Sequence, residues 1–146
     1  VADPRVGFFG ISFKDYNQPI QAQLEQHWAS RHRLERVNPN DPNSPIKNPI
    51  VYYVDRGNPE PLRTATLQGV GFWTQAFDRA GLRGGFRVEL LPEGVDPMDA
   101  RYNVVQWENR NERGWSVGGA LTDPSARRDR DLGIPNGYFH YAAPFA

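Results

Sequence analysis

Ile50-Val51-Tyr52-Tyr53-Val54, Asn58-Pro59-Glu60-Pro61 and Phe86-Arg87-Val88-Glu89-Leu90-Leu91 follow one another as a strand, a helix start and a second strand. The first run is continuous, β-branched and aromatic, the pattern of a strand buried on both faces. The second reads as a helix start, with Asn58 as N-cap, Pro59 at the first helical position and the Glu60 carboxylate in the first turn. Leu62, Thr66, Val70, Trp73, Phe77 and Ala80 then recur in steps of three and four, which makes one helical stripe. Gly81 stands where a left-handed C-cap belongs, and Arg79 falls in the last turn, where the helix dipole favours a cation. A helix of about 20 residues and about 30 Å is expected. Beyond it, residues 86–91 alternate as a half-buried strand.

Further along the chain, Tyr102-Asn103-Val104-Val105-Gln106-Trp107 reads as another strand, reached through the turn-rich residues 92–100. Trp115-Ser116-Val117-Gly118-Gly119-Ala120-Leu121 reads as another, ended by Asp123-Pro124. Strand, long helix, strand, strand, strand predicts the α/β class: a mixed, mostly parallel sheet with one long backing helix. Residues 127–131 alternate in charge and read as a solvated loop, followed by an aromatic tail, Tyr138-Phe139-His140-Tyr141 and Phe145. Upstream, Val37-Asn38-Pro39-Asn40-Asp41-Pro42-Asn43-Ser44-Pro45 is the strongest breaker run, and a boundary is placed there. Before it, residues 5–13 are strand-like and residues 20–36 form a polar, helix-like stretch carrying Leu24, His27, Trp28 and Leu34. The chain thus divides into an N-terminal segment and linker (1–45), a strand–helix–strand half-domain (46–124) and an aromatic tail (125–146).

Composition narrows the function classes. The 146 residues suffice for one domain burying about two-thirds of its unfolded surface. Hydrophobic residues are 38% and aromatics 12%, while 23% are charged and the mean hydropathy is −0.68. No run approaches the roughly 18 apolar residues of a spanning helix. Seventeen basic residues balance 17 acidic ones, so no global field draws in nucleic acid or an anionic membrane. Only Lys14 and Lys47 are lysines; every other basic residue is arginine. The lack of cysteine excludes a disulfide framework, thiolate zinc sites and a cysteine nucleophile. The chain opens Val1-Ala2-Asp3 without an initiator methionine or an apolar leader, as a processed product or a piece of a longer protein would.

Residues suited to chemistry are few. His27 and His32 lie five positions apart, about 140° around a helix, so on the expected helix they share no face. His140 sits in the aromatic tail without a carboxylate beside it. No H-E-x-x-H, G-x-S-x-G or phosphate-binding glycine loop occurs. Asp96, Asp99, Glu108 and Glu112 do not take calcium-loop spacing and read as caps or arginine partners. Trp107 and Trp115 could stack on a sugar or a base, but strands of alternating pattern favour core packing. Composition and spacing alone give an α/β domain without an active site.

The order of several segments nevertheless resembles one family. These are Asp3-Pro4-Arg5-Val6-Gly7-Phe8-Phe9, Ile50 through Gly57, Pro59-Glu60-Pro61-Leu62-Arg63, Gly69, and Phe72-Trp73-Thr74-Gln75-Ala76-Phe77. Leu90-Leu91-Pro92, Asp96 through Trp107, and Arg113-Gly114-Trp115-Ser116-Val117-Gly118-Gly119 continue the series. Together they resemble bacterial secreted zinc metallopeptidases of the metzincin type, over about 120 residues. The resemblance implies that the stretch supplies the first strand, the backing helix, the second and third strands and an antiparallel edge strand. That edge, with Val117, Gly118, Gly119, Ala120 and Leu121, is expected to bind extended peptide or protein substrate by strand addition.

In the family, zinc is held by a later H-E-x-x-H helix whose glutamate is the general base. After Pro124 this chain departs from the pattern: neither the strand expected next nor that helix is read in it. No catalytic or metal-binding residue, and no cofactor of its own, is therefore expected. The expected partners are extended substrate and a separate C-terminal catalytic part, with no nucleic acid and no membrane; a secreted or periplasmic location follows from the resemblance. The departure also leaves a gap between the third strand and the edge strand, and the tail at 138–145 is expected to cover part of it. A non-enzymatic peptide- or protein-binding module on the same half-domain is the alternative reading.

Overall fold

The computed structural model describes residues 5, 10–29, 32–109, 117–120 and 138–142. The chain forms two compact units, Val1–Arg33 and Leu34–Ala146. The division precedes the proline run, because residues 36–47 are tied into the second unit. Arg36 and Ile46 form an antiparallel bridge, and the amide of Val37 donates to the carbonyl of Pro45 at 3.0 Å. The hydroxyl of buried Ser44 accepts from the Asn38 amide at 2.9 Å.

The first unit holds a hairpin of β1 (Gly10–Lys14) and β2 (Glu25–Ala29), paired antiparallel from Gly10↔Ala29 to Lys14↔Glu25. This corrects the expected helix over residues 20–36. The polar run has no apolar helical stripe to bury, whereas period-2 alternation puts half-buried Phe13, Gln26 and Trp28 on one face. Phe13 and Trp28 meet edge to face at 4.7 Å between centroids. Ser12, Lys14, Glu25 and His27, all exposed, occupy the other face.

The second unit belongs to the α/β class. Its five-stranded sheet is built from β3 (Ile50–Val54), β4 (Phe86–Leu90), β5 (Asn103–Trp107), β6 (Val117–Ala120) and β7 (Tyr138–Ala142). The order is β4-β3-β5-β7-β6. β4, β3, β5 and β7 run parallel and β6 runs antiparallel to β7. β7 occupies the position between the third strand and the edge strand. The reading that no further strand follows Pro124 is thereby corrected: the aromatic tail supplies it. Residues 125–137 lie outside the described residues.

Between β3 and β4 the chain crosses over as α1 (Leu62–Gly71) and α2 (Trp73–Arg79), which run on from each other through a helical Phe72 at φ −57°, ψ −31°. The crossover packs on β3 and β4: Phe77 stacks on Phe86 at 5.3 Å and Phe86 touches Tyr52 at 5.5 Å. Ile46, Ile50, Val54, Phe86, Leu91, Val104 and Val105 form the core. Gly81 takes the expected left-handed conformation at φ 76°, and its carbonyl accepts from Arg36 Nη2 at 2.9 Å.

The helix start differs from its expectation. The N-cap is Pro61, without a side-chain cap, and Asn58 is 2% exposed instead of capping. A residue before proline is steered away from the α region, so Pro59 and Pro61 together delay the helix to Leu62. Glu60 still serves the first turn from outside it, accepting from Thr64 Oγ1 at 2.8 Å and from Arg63 Nε at 2.9 Å. The expected stripe also turns: Thr66, Val70 and Phe77 are half-buried, but Leu62 and Trp73 face solvent.

Candidate functional site

The candidate peptide-pairing edge is β6. Among the described residues its one neighbour in the sheet order is β7, paired through Val117↔Tyr141, Gly118↔His140, Gly119↔Phe139 and Ala120↔Tyr138. Alternate residues of a strand direct their N–H and C=O groups to opposite sides, so one side of β6 serves the β7 ladder and the other faces outward. β7 is itself anchored to β5 from Val104↔Phe139 to Trp107↔Ala142, and Val104 is fully buried. The edge therefore rests, through β7, on the core of the sheet. An edge strand of this kind can accept an extended chain through backbone hydrogen bonds. Gly118 is exposed; Leu121 lies outside the described residues.

The other candidate residues are placed elsewhere or engaged locally. His27 is on β2, with Nδ1 2.8 Å from Ser12 Oγ across the hairpin. His32 belongs to the first unit, and burial pushes its pKa below the usual imidazole value. Asp96 Oδ1 accepts from the Met98 amide at 2.8 Å, an Asx turn. Asp99 is bound by Arg101 through Nε and Nη2. That hydrogen bonding holds its carboxyl down at about 2. Trp107 is half-buried and its indole N–H donates to Asn109 Oδ1 at 3.1 Å. Glu112 and Trp115 lie outside the described residues. Among the described residues, no group of three or more His, Asp or Glu side chains could hold a metal ion.

Three polar side chains inside the second unit have buried roles that the sequence did not indicate: Asn103 and Gln106, which it did not single out, and Asn58, which it read as a cap. Asn103, 1% exposed, donates from Nδ2 to the carbonyl of Val51 at 2.8 Å. Asn58 donates to Thr66 Oγ1 at 3.1 Å, while its Oδ1 and the Oε1 of Gln106 are buried without a hydrogen-bond partner. Their signal in the sequence is an amide within or beside an apolar strand. On the face of the sheet away from the helices, Tyr53 pairs in register with Glu89. Burial, followed by the Glu89 carboxylate, raises its phenol pKa.

One family matches. A domain of unknown function, DUF5117, matches residues 1–36. That span covers the first unit and its immediate continuation and leaves the five-stranded sheet outside the match. No curated protein and no solved structure matches the chain.

Proposed function

We propose that this chain is the N-terminal portion of a metzincin-like zinc metallopeptidase, catalytically silent by itself, which presents β6 as the strand that pairs with extended substrate. The observation that carries this reading is the order β4-β3-β5-β7-β6, with four parallel strands and an antiparallel one outermost. It agrees with the layout that the sequence resemblance implies, down to a strand between the third strand and the edge. The zinc, the glutamate base and the water they activate belong to a separate C-terminal part, and secretion or a periplasmic location goes with the same reading. Among the described residues no helix is long and apolar enough to cross a membrane, which accords with it.

The test is peptide binding to the chain without zinc. A fluorescent, extended, unstructured peptide gains anisotropy when it joins β6. Proline is then placed singly at Gly118 and at Gly119. Because neighbouring amides point to opposite sides, one substitution removes an outward N–H and abolishes binding with the fold retained, and the other strikes the β7 ladder. Equal binding by the wild type and both variants would sink the reading. The alternative, a peptide-binding module unconnected with hydrolysis, predicts the same binding. It separates when a polypeptide bearing an H-E-x-x-H helix is supplied: cleavage of the bound peptide appears only under the peptidase reading.

A further inference from the structure

The sheet has a second open edge, β4. In the order β4-β3-β5-β7-β6 its one neighbour among the described residues is β3, and the crossover packs on its face. The ladder fixes which backbone groups point outward. The Ile50 amide donates to the Gly85 carbonyl at 2.8 Å and the Leu91 amide to the Val54 carbonyl at 2.9 Å, so the odd-numbered positions of this strand serve β3. By alternation, Phe86, Val88 and Leu90 direct their N–H and C=O groups away from the sheet. Residues 86–90 carry neither proline nor lysine, and their two charges, Arg87 and Glu89, are of opposite sign. Both stand on the face away from the helices, 56% and 45% exposed, with Nε 3.0 Å from Oε1. An edge of like charges repels its own copy, whereas an edge of alternating sign can match it.

We propose that β4 joins two copies of this chain, pairing antiparallel with its own twofold mate about Val88, so that two five-stranded sheets become one continuous sheet. Charge complementarity carries the choice of occupant and of register. About Val88, Arg87 of each copy stands directly opposite Glu89 of the other, and Phe86 stands opposite Leu90. Moving the centre to residue 87 sets Arg87 against its own counterpart, and moving it to residue 89 does the same to Glu89. Like charges directly opposite destabilise a pair, so of these three registers only the one about Val88 matches the charges. It also suits the backbone. Val88 is an outward-directed residue, so at the axis the two copies exchange both N–H···O=C bonds, the closely spaced arrangement of an antiparallel ladder. Phe86 and Leu90 do the same on either side, and the residues brought together on the helix face are all apolar. A twofold contact of this kind closes on itself and leaves β6 at each outer end of the joined sheet. The inference uses neither the resemblance nor peptide pairing, and stands apart from the proposed function.

Sedimentation velocity over a roughly 100-fold range of concentration tests it. The wild type is expected to form a dimer that dissociates on dilution. Arg87→Glu and Glu89→Arg, made singly, each set like charges opposite one another across the axis and are expected to weaken self-association by at least about tenfold. Both side chains are exposed, so each variant keeps a thermal transition close to that of the wild-type monomer. The double reversal, Arg87→Glu with Glu89→Arg, restores unlike pairs and is expected to restore the dimer. An equimolar mixture of the two single variants is expected to form the mixed dimer, since two acids then stand opposite two bases. Damage to the fold by either substitution would not be rescued by mixing. A wild type monomeric at every concentration overturns the proposal, as does a dimer unmoved by either single variant. Loss of the dimer in the single variants without recovery in the double reversal and in the mixture overturns it too, by placing the two charges outside the contact.

Discussion

Asp99 sits in a run of tight turns and is the described carboxylate held furthest below its ordinary value, at about 2 against 3.8. The first cause is the Arg101 side chain, whose Nε lies 3.0 Å from both carboxylate oxygens; the Arg101 amide adds a bond to Oδ1. A carboxyl whose pKa is lower folded than unfolded stabilises the fold above the unfolded value and loses that contribution as pH falls through the folded one. For Asp99 the window is from 3.8 down to about 2. Side-chain carboxyl titration by NMR is expected to give a midpoint of about 2, moving up toward 3.8 in Arg101→Ala. A wild-type midpoint near 3.8 would remove the pair from the account. The residue types of this turn were legible in the sequence, since Asp96, Pro97 and Asp99 are turn formers. Asn103 was not. Its side chain bonds the carbonyl of Val51, one residue before the β3–β5 pairing begins at Tyr52↔Asn103. An amide that extends a ladder by one rung has no signature in periodicity.

At the scale of elements, β3, β4 and β5 were legible because a continuous or alternating apolar run admits few alternatives, and Gly81 marked the end of the helix. The helix start and the first hairpin were not. Consecutive proline restraints outweighed the cap signal at Asn58, and antiparallel pairing with residues 10–14 outweighed the helix preference of a Gln- and Glu-rich run. The tail strand β7 was not legible as a strand: the sequence showed an aromatic tail expected to cover part of a gap, and the structure makes Tyr138–Ala142 a full partner of β5 and β6. The glycines within and just after the crossover helices allow a sharper test. Gly69 has open space at its Cβ position, so Gly69→Ala is expected to stabilise the chain by about 0.5–1 kcal/mol. At Gly71 the added methyl meets Val88 Cγ1 at 3.2 Å, and the same change is expected to gain less or nothing. At Gly81, with φ 76°, alanine is expected to cost about 1 kcal/mol or more. Urea unfolding of the three variants checks the order Gly69, Gly71, Gly81; any other order would show that the helix is not seated on β4 as described.

The two units of the whole molecule differ in what can hold them together. Every buried hydrophobic side chain among the described residues lies between Ile46 and Val105, inside the second unit. Among the described residues, the first unit offers two strands of five residues and an aromatic contact between half-buried Phe13 and Trp28. A two-stranded hairpin is at best marginal in water, whereas five strands with a packed helix layer suffice for cooperative folding. A chain beginning at Leu34 is therefore expected to keep a single thermal transition within about 4 °C of the full-length Tm. A peptide of residues 1–33 is expected to show no cooperative transition at all. Circular dichroism melts of the three species decide it: failure of the Leu34 chain to fold would mean that the hairpin is structural support for the sheet. The same shortened chain bears on function, because β6 and its β7 anchor both lie beyond Leu34. Peptide pairing at β6 should then survive removal of the first unit unchanged. Loss of binding with folding intact would instead make the hairpin part of the substrate-binding surface.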